Sequence, residues 1–407
     1  MSAFEPLVSI IIPAYNCAPY LPSAVESALG QTYSRVEVVV VNDGSPDDTD
    51  TVIKPYLERI QYIKQENRGL SAARNAGFHA SHGDFICFLD ADDILLPEKL
   101  GKQLAVFNHE PDLGVVICGY FDVEADGETV IQSIRKEWHR NAIDKLLNHE
   151  VFPPHAALIR RKVLNQFGLF PEDIDTYESQ EDWQLWLQLA LNGVAFSSVP
   201  EPLCKYRRRP GSISANPLKH LDGARRVVSW LRQHPNDGPY HERIERLAAI
   251  VEMERVARAR LAGETVLMRD TLTAAVKQWP SFWLEPFTYV RLLERTLPLI
   301  EENTWITTHN IEIFKHYVLE QILLSCRDGL PSSVFNRMMA AAWLAASDMA
   351  YESGCTITCL HSITLAIYTN PRVALSATGW RSTIRGVLGK RMVSLLRSTL
   401  KLRVTAI

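Results

Sequence analysis

Two kinds of segment alternate through the first 130 residues, and that alternation narrows the folds open to the chain. Runs rich in β-branched residues recur at Leu7–Tyr15 (LVSIIIPAY), Val36–Gly44 (VEVVVVNDG), Ile60–Glu66 (IQYIKQE), Asp84–Asp90 (DFICFLD) and Leu113–Phe121 (LGVVICGYF). Most are apolar at successive positions rather than at every second one. That is the pattern of strands covered on both faces in a parallel sheet. Helical patterns lie between them. APYLPSAVESALGQ sets Leu21, Val25, Ala28 and Leu29 at helical spacing and ends at Gly30. GLSAARNAGFHAS is small and helix-favouring, and DDILLPEKLGKQLAVFNHE places Leu96, Leu100, Leu104 and Phe107 on one face. Strand–helix alternation of this kind predicts an α/β domain built on a parallel sheet with right-handed crossovers.

The pattern turns mixed between about Asn141 and Tyr206, with a clear amphipathic helix in QEDWQLWLQLALNG and a loop at RRRPGSISANP. After about Leu218 strand signals become scarce, and ARRVVSWLRQH, ERIERLAAIVEMERVARARLAG, ETVLMRDTLTAAVKQW and SSVFNRMMAAAWLAASDMA read as successive helices. The expected division is an α/β domain over residues 1–216 and a helical domain over residues 217–407. A chain of 407 residues with 46% hydrophobic content is long enough for both.

The bulk charge excludes one class of function. At a net charge of −4 the chain lacks the strongly basic domain usual in nucleic-acid binders. Its seven cysteines are scattered and odd in number, which favours a reducing compartment. The start MSAFEPLVSIIIPAYN has neither the basic opening nor the apolar core of a signal peptide, and no apolar run reaches the roughly 18–20 residues of a membrane span. A cytoplasmic protein is expected.

Four polar clusters fall where predicted strands end: PAYN (Pro13–Asn16), NDGS (Asn42–Ser45), QENRGLSAARNAG (Gln65–Gly77) and DADD (Asp90–Asp93). In open parallel sheets such ends share one crevice, where ligands bind. Taken singly each has a plainer reading; Asp-Gly is a common turn, and the aspartates of DADD suit a helix N-terminus. Neither a P-loop nor a Gly-x-Gly-x-x-Gly element is present, so glycine amides do not cradle a phosphate. Adjacent carboxylates tolerate one another when a hard divalent cation and a diphosphate complete the site. Asp90 and Asp92 are the candidate pair, and Asp93 fits a helix cap. About ninety residues further on, Glu181 and Asp182 open the QEDW helix. They suit a base that takes a proton from an attacking hydroxyl, or two acids in a favourable first turn.

The series SIIIPAYN, VVVVNDGSPDDT, QENRGLSAARNAG and FLDADD resembles the family 2 glycosyltransferases, nucleotide-sugar enzymes of the GT-A fold, over about residues 7–215. SQEDWQLWLQLALNG resembles the family's Glu-Asp helix, and KYRRRPGSIS its Tyr-Arg…Ser-x-Ser segment. The resemblance implies inverting transfer of a sugar from a nucleoside diphosphate, usually UDP, with Mg²⁺ or Mn²⁺. It implies that Asp43 binds the nucleobase, with Pro13 and Tyr15 lining the pocket, and that Arg74 sits near the nucleotide. Asp90 and Asp92 would hold ribose and metal. Asp182 would be the general base, with Glu181 beside it. Where relatives carry an acid and an arginine on the Glu-Asp helix, this chain has Gln184 and Gln188, so acceptor contacts there differ. A nucleotidyltransferase or a non-catalytic nucleotide-sugar-binding scaffold are the competing readings; the first gives Asp182 no role, and the second leaves three carboxylates idle.

Other features stand outside these motifs. Arg207–Arg209 either hold the diphosphate or form a solvated basic loop. Cys355, Cys359 and His361 have poor spacing for zinc and read as buried thiols and a structural histidine. His155 lies near the expected acceptor side, though a lone histidine is usually structural. The tail from Gly379 to Ile407 is basic and free of acids; as a helix it sets Ile384, Leu388, Met392, Leu395 and Leu402 opposite Lys390, Arg397 and Lys401. That pattern fits either contact with anionic lipid, as a lipid-linked glycan acceptor in surface polysaccharide or glycoconjugate assembly would explain, or docking on the chain's own domain.

Overall fold

The β-branched runs form strands over almost the expected spans. In chain order the strands are β1 (Val8–Ala14), β2 (Val36–Asp43), β3 (Gln61–Gln65), β4 (Phe85–Phe88), β5 (Ile94–Leu95), β6 (Val115–Val123), β7 (Val130–Ile134), β8 (His139–Arg140), β9 (Ala157–Arg160) and β10 (Phe196–Arg207). These come from a computed structural model that describes residues 5–140, 142–148, 151–172, 179–209, 212, 217–234, 238–285, 288, 318, 322–352, 362, 366, 369 and 370. The tail from residue 379 and the Cys355, Cys359 and His361 group lie outside the described residues.

One ten-stranded sheet runs in the order β3-β2-β1-β4-β9-β6-β10-β5, with β7 paired to β6 and β8 to β10. Its first half is parallel: β1 lies between β2 and β4, and β3 lies outside β2. β1 is buried along its length, and Val38–Val41 of β2 are buried too. At about 25 cal/mol per Å² of apolar surface, this two-sided burial is the main force holding the strands together. β9 runs antiparallel to both its neighbours, β4 and β6. The fold is thus the mixed, mainly parallel GT-A sheet flanked by helices.

The first helices connect these strands: α1 (Leu21–Leu29), α2 (Thr49–Val52), α3 (Leu70–Ala80) and α4 (Lys99–His109). α1 buries Leu21, Ala24, Val25 and Ala28; α4 buries Leu100, Leu104 and Phe107. α5 (Ile143–Leu147), α6 (Arg161–Phe167), α7 (Glu181–Leu191) and α8 (Pro217–Leu231) follow.

β10 is the strand that the sequence hides. Pro200 and Pro202 interrupt its apolar pattern, and proline cannot donate to a β-ladder. The structure absorbs both prolines with register shifts between Val199 and Pro202 and between Pro202 and Lys205. β10 still lies parallel to β6 and antiparallel to β5, which carries Arg207 back to the residues just after β4.

The chain divides into two compact units, Met1–Leu247 and Ala248–Ile407. The division falls inside α9 (His241–Leu261), later than residue 216, so α8 groups with the sheet. His220 of α8 reaches Ser179 just before α7, and Arg232, just after α8, forms a two-bond ion pair with Glu245 of α9 at 2.7 and 2.8 Å. In the second unit, α10 (Thr265–Gln278) and α11 (Ser332–Glu352) share a core that includes Val256, Leu272, Trp283 and Met338. The run MMAAAWLAA is a packed helix as expected, with Ala341, Ala342, Ala345 and Ala346 fully buried. No helix among the described residues is long and apolar enough to cross a membrane.

Candidate active site

Because β1 to β4 are parallel, their carboxyl ends meet along one edge, and hydrogen bonds stitch the four polar clusters together there. Asn16 N–H donates to Ser45 Oγ at 2.8 Å, and Ala18 N–H donates to Asp47 Oδ2 at 2.8 Å. Asp43, 2% exposed, accepts from Gln65 Nε2 at 2.7 Å and from the backbone N–H groups of Arg68 and Gly69 at 2.9 Å each. Its negative charge thus sits at the N-terminus of α3, where the helix dipole favours it. Gly69 has a φ of +88°, a conformation that a side chain would strain. Pro13 lies within β1, paired with Val41, and Tyr15 stands 47% exposed just past the strand end.

Arg74 ties this edge to α7. It is 1% exposed and makes two ion pairs, Nη2 to Asp90 Oδ1 at 2.6 Å and Nη1 to Glu181 Oε1 at 2.7 Å. The Phe170 ring packs against the guanidinium at 4.8 Å. A buried cation is tolerated only when it is paired and hydrogen-bonded. Asp90 and Glu181 supply that pairing, so both acidic motifs are anchored to one arginine. Glu181 is held by this contact, while Asp182 beside it is partly exposed and accepts the Trp183 N–H at 2.7 Å.

The end of β10 wraps the other side of Asp90–Asp93. Arg209 Nε lies 2.5 Å from Asp92 Oδ2, and its Nη2 reaches Cys17 Sγ at 3.2 Å. Arg207, 7% exposed, donates its backbone N–H to Asp93 Oδ1 at 2.8 Å and its Nε to the Asp92 carbonyl at 2.7 Å. Arg208 pairs with buried Asp122 at 3.0 Å. The three arginines are therefore each bound to an acid or a carbonyl, with Arg207 and Arg209 largely covered and Arg208 half exposed. Asp93 does not cap a helix as expected; α4 starts at Lys99, and Asp93 instead pairs with His155 Nδ1 at 3.0 Å in full burial. Burial pushes the Asp93 carboxyl up to about 6, against the pull of His155.

The Asp182 carboxyl holds its proton more tightly than an ordinary aspartate. Desolvation first, and then the negative charge of Glu181, push its carboxyl up to about 7, while Arg74 and the Trp183 N–H pull the other way. A base whose pKa lies near neutrality works best at neutral pH. Gln180, just before the acidic pair, has a φ of +85°. Holding a non-glycine residue in that left-handed region costs on the order of 1–3 kcal/mol, and such strain concentrates at functional sites.

The oxygen donors fit a hard divalent cation. Asp90 and Asp92 offer partly exposed carboxylates, and Asp90, Asp93 and His155 each place a ligand atom within 4.8 Å of the others.

Residues 9–168 match the family described as Glycosyl transferase family 2. An uncharacterized glycosyltransferase of Rickettsia typhi is 32% identical over 228 residues, which cover 54% of this chain and 70% of that protein. The chain belongs to glycosyl transferase family 2. This glycosyltransferase also matches solved structures at low identity. Staphylococcus aureus TarS 1–349 in complex with UDP-GlcNAc is 18% identical, with a TM-score of 0.48 and coverage of 90% of this chain and 92% of that one. The mannosyltransferase PcManGT of Pyrobaculum calidifontis, in complex with GDP-Man and Mn²⁺, is 16% identical, with a TM-score of 0.49 and coverage of 85% and 88%. The Rickettsia match leaves nearly half of this glycosyltransferase uncovered.

Sequence reasoning missed three parts of the site: the Arg74 bridge, the Asp93–His155 pair and the contact of His220 with the residues before α7. Each joins positions far apart in the chain, and no local pattern announces such pairs.

Proposed function

We propose that this glycosyltransferase moves a sugar from a nucleoside diphosphate, UDP in the first instance, to an acceptor hydroxyl with inversion at the anomeric carbon. The observation that carries the reading is the Asp182 carboxyl. Its neighbour Glu181 is tied to Asp90 through Arg74, and burial raises its own proton affinity to about 7. An inverting displacement needs a leaving group stabilised on one face and a base on the other, and a second acidic motif tied to the first by one arginine supports that division of roles.

In this reading Tyr15, Pro13 and Asp43 border the nucleobase, and Asp90 and Asp92 hold the ribose and Mg²⁺ or Mn²⁺. The bound cation neutralises charge developing on the departing diphosphate. With a cation held by Asp90 and Asp92, Arg209 would be freed from Asp92 and could turn its charge toward the phosphates. Asp182 takes the proton of the acceptor hydroxyl as that oxygen attacks, a contribution of typically about 10² to 10⁴ in rate. A lipid-linked acceptor at the inner face of the cell membrane accounts for the basic tail, residues 379–407. Liposome co-sedimentation tests that part: removal of the tail is expected to abolish binding to anionic vesicles.

Nucleoside diphosphate release from UDP-, GDP- and dTDP-sugars, with Mn²⁺ or EDTA, tests the central reading in wild type and Asp92→Asn. Water serves as acceptor, so the natural one is not required. Release from one donor, lost with EDTA and in Asp92→Asn, is expected. Nucleotide binding with no release from any donor would leave the non-catalytic nucleotide-sugar-binding scaffold as the better account; neither release nor nucleotide binding would overturn both readings.

A further inference from the structure

α8 lies outside the residues 9–168 that match the family, yet it touches the segment that presents the candidate base. His220 of α8 has Nδ1 3.0 Å from Ser179 Oγ and Nε2 2.5 Å from Gln180 Nε2. The Gln180 amide donates to Nε2, so the neutral ring carries its proton on Nδ1 and donates it to Ser179 Oγ; this tautomer is assigned from the bonding pattern. Close packing reinforces these bonds. A Cβ added at Gly223 would lie 2.1 Å from the Ser179 carbonyl oxygen and 3.2 Å from Gln180 Cγ, so the helix backbone presses directly on this segment. Ser179 and Gln180 are 8% and 4% exposed. Gln180 is the left-handed residue, and Glu181 and Asp182 follow it at once.

We propose that His220 is a positioning residue for sugar transfer: it pins Ser179 and Gln180 in the left-handed turn that aims Asp182 at the acceptor hydroxyl. The inference rests on the reading of Asp182 as the base. Two contacts from one ring, one on each residue before the helix, resist the rotation that a non-glycine residue in this conformation favours. If the turn relaxes, the Asp182 carboxylate shifts, and a displacement of about 1 Å at a reacting group can cost about 10² in rate.

The test uses the full chain and the donor identified by the release panel. Three quantities are read: kcat for donor hydrolysis, UDP affinity by calorimetry and the acid-side midpoint of the pH–rate profile. The variants are His220→Leu, which removes both bonds, and His220→Asn, whose amide can still donate to Ser179 Oγ. Expected for His220→Leu are a fall in kcat of about tenfold or more, unchanged UDP affinity, and a midpoint moved to lower pH as water reaches Asp182. His220→Asn is expected to recover part of the rate. Wild-type kcat and midpoint in His220→Leu would overturn the proposal. So would parallel losses of kcat, UDP affinity and Tm with no recovery in His220→Asn, because His220 would then be a packing residue. Full activity in Asp182→Asn would overturn the reading of the base itself, and the role of His220 with it.

Discussion

Asp182 makes opposite demands on stability and activity. Its folded carboxyl titrates at about 7, above its ordinary value of 3.8. Between those values the folded chain holds a proton that the unfolded chain has released, so folding stability falls as pH rises through the window. In the proposed role as base, activity runs the other way, because a base must be deprotonated: the rate is expected to rise through about pH 7 and level off above it. Asp182→Asn separates the two effects. It is expected to lower donor turnover by about 10² to 10⁴ with UDP affinity intact. It is also expected to raise the Tm relative to wild type at about pH 8 and by less at about pH 4, since asparagine carries no charge to desolvate. Arg74 poses the converse problem. Replacing it with Met leaves Asp90 and Glu181 facing each other without a counter-charge, and losing one partner of a buried ion pair costs about 3–5 kcal/mol. A drop in Tm for Arg74→Met, measured by calorimetry, checks this.

Among the elements, the end of β10 deserves a test of its own. Arg209 occupies Asp92 Oδ2, so a cation held by Asp92 in the proposed role would have to displace it. Arg209→Ala is therefore expected to bind Mn²⁺ several-fold tighter without nucleotide, by titration calorimetry, consistent with a contact worth about 1 kcal/mol. The same variant is expected to bind UDP in the presence of Mn²⁺ more weakly. β10 also shows what the sequence could and could not reveal. β1, β2 and β4 are legible because each carries apolar residues at successive positions, Ile10–Ile12, Val38–Val41 and Phe85–Phe88, as burial on both faces requires. The acidic ends of those runs are legible for the same reason, since parallel strands deliver them to one edge. β10 is not legible, because Pro200 and Pro202 erase its pattern while bulges preserve its pairing. Nor is the role of Arg207–Arg209 legible: three adjacent arginines look alike until the strand register gives each a different acid or carbonyl.

At the scale of the whole molecule, the site depends on chain that comes late. The fragment of residues 1–216 lacks α8, and with it His220, Gly223 and the Arg232–Glu245 pair. It is expected to be unstable, whereas residues 1–247 are expected to fold and bind UDP; melting curves and calorimetry on both fragments decide this. The same dependence appears in the spans that close the site. Arg74 meets Glu181 107 residues away, Arg207 meets Asp93 114 residues away, and Arg209 meets Asp92 117 residues away. On the ribosome, Asp90–Asp93 emerge with Arg74 already made but with no β10 to cover them. At about 5–20 residues per second, that exposure lasts several seconds or longer. During synthesis the nascent chain therefore carries an uncovered acidic cluster beside unpaired sheet edges, and that cluster is covered only as β10 slides in next to β6.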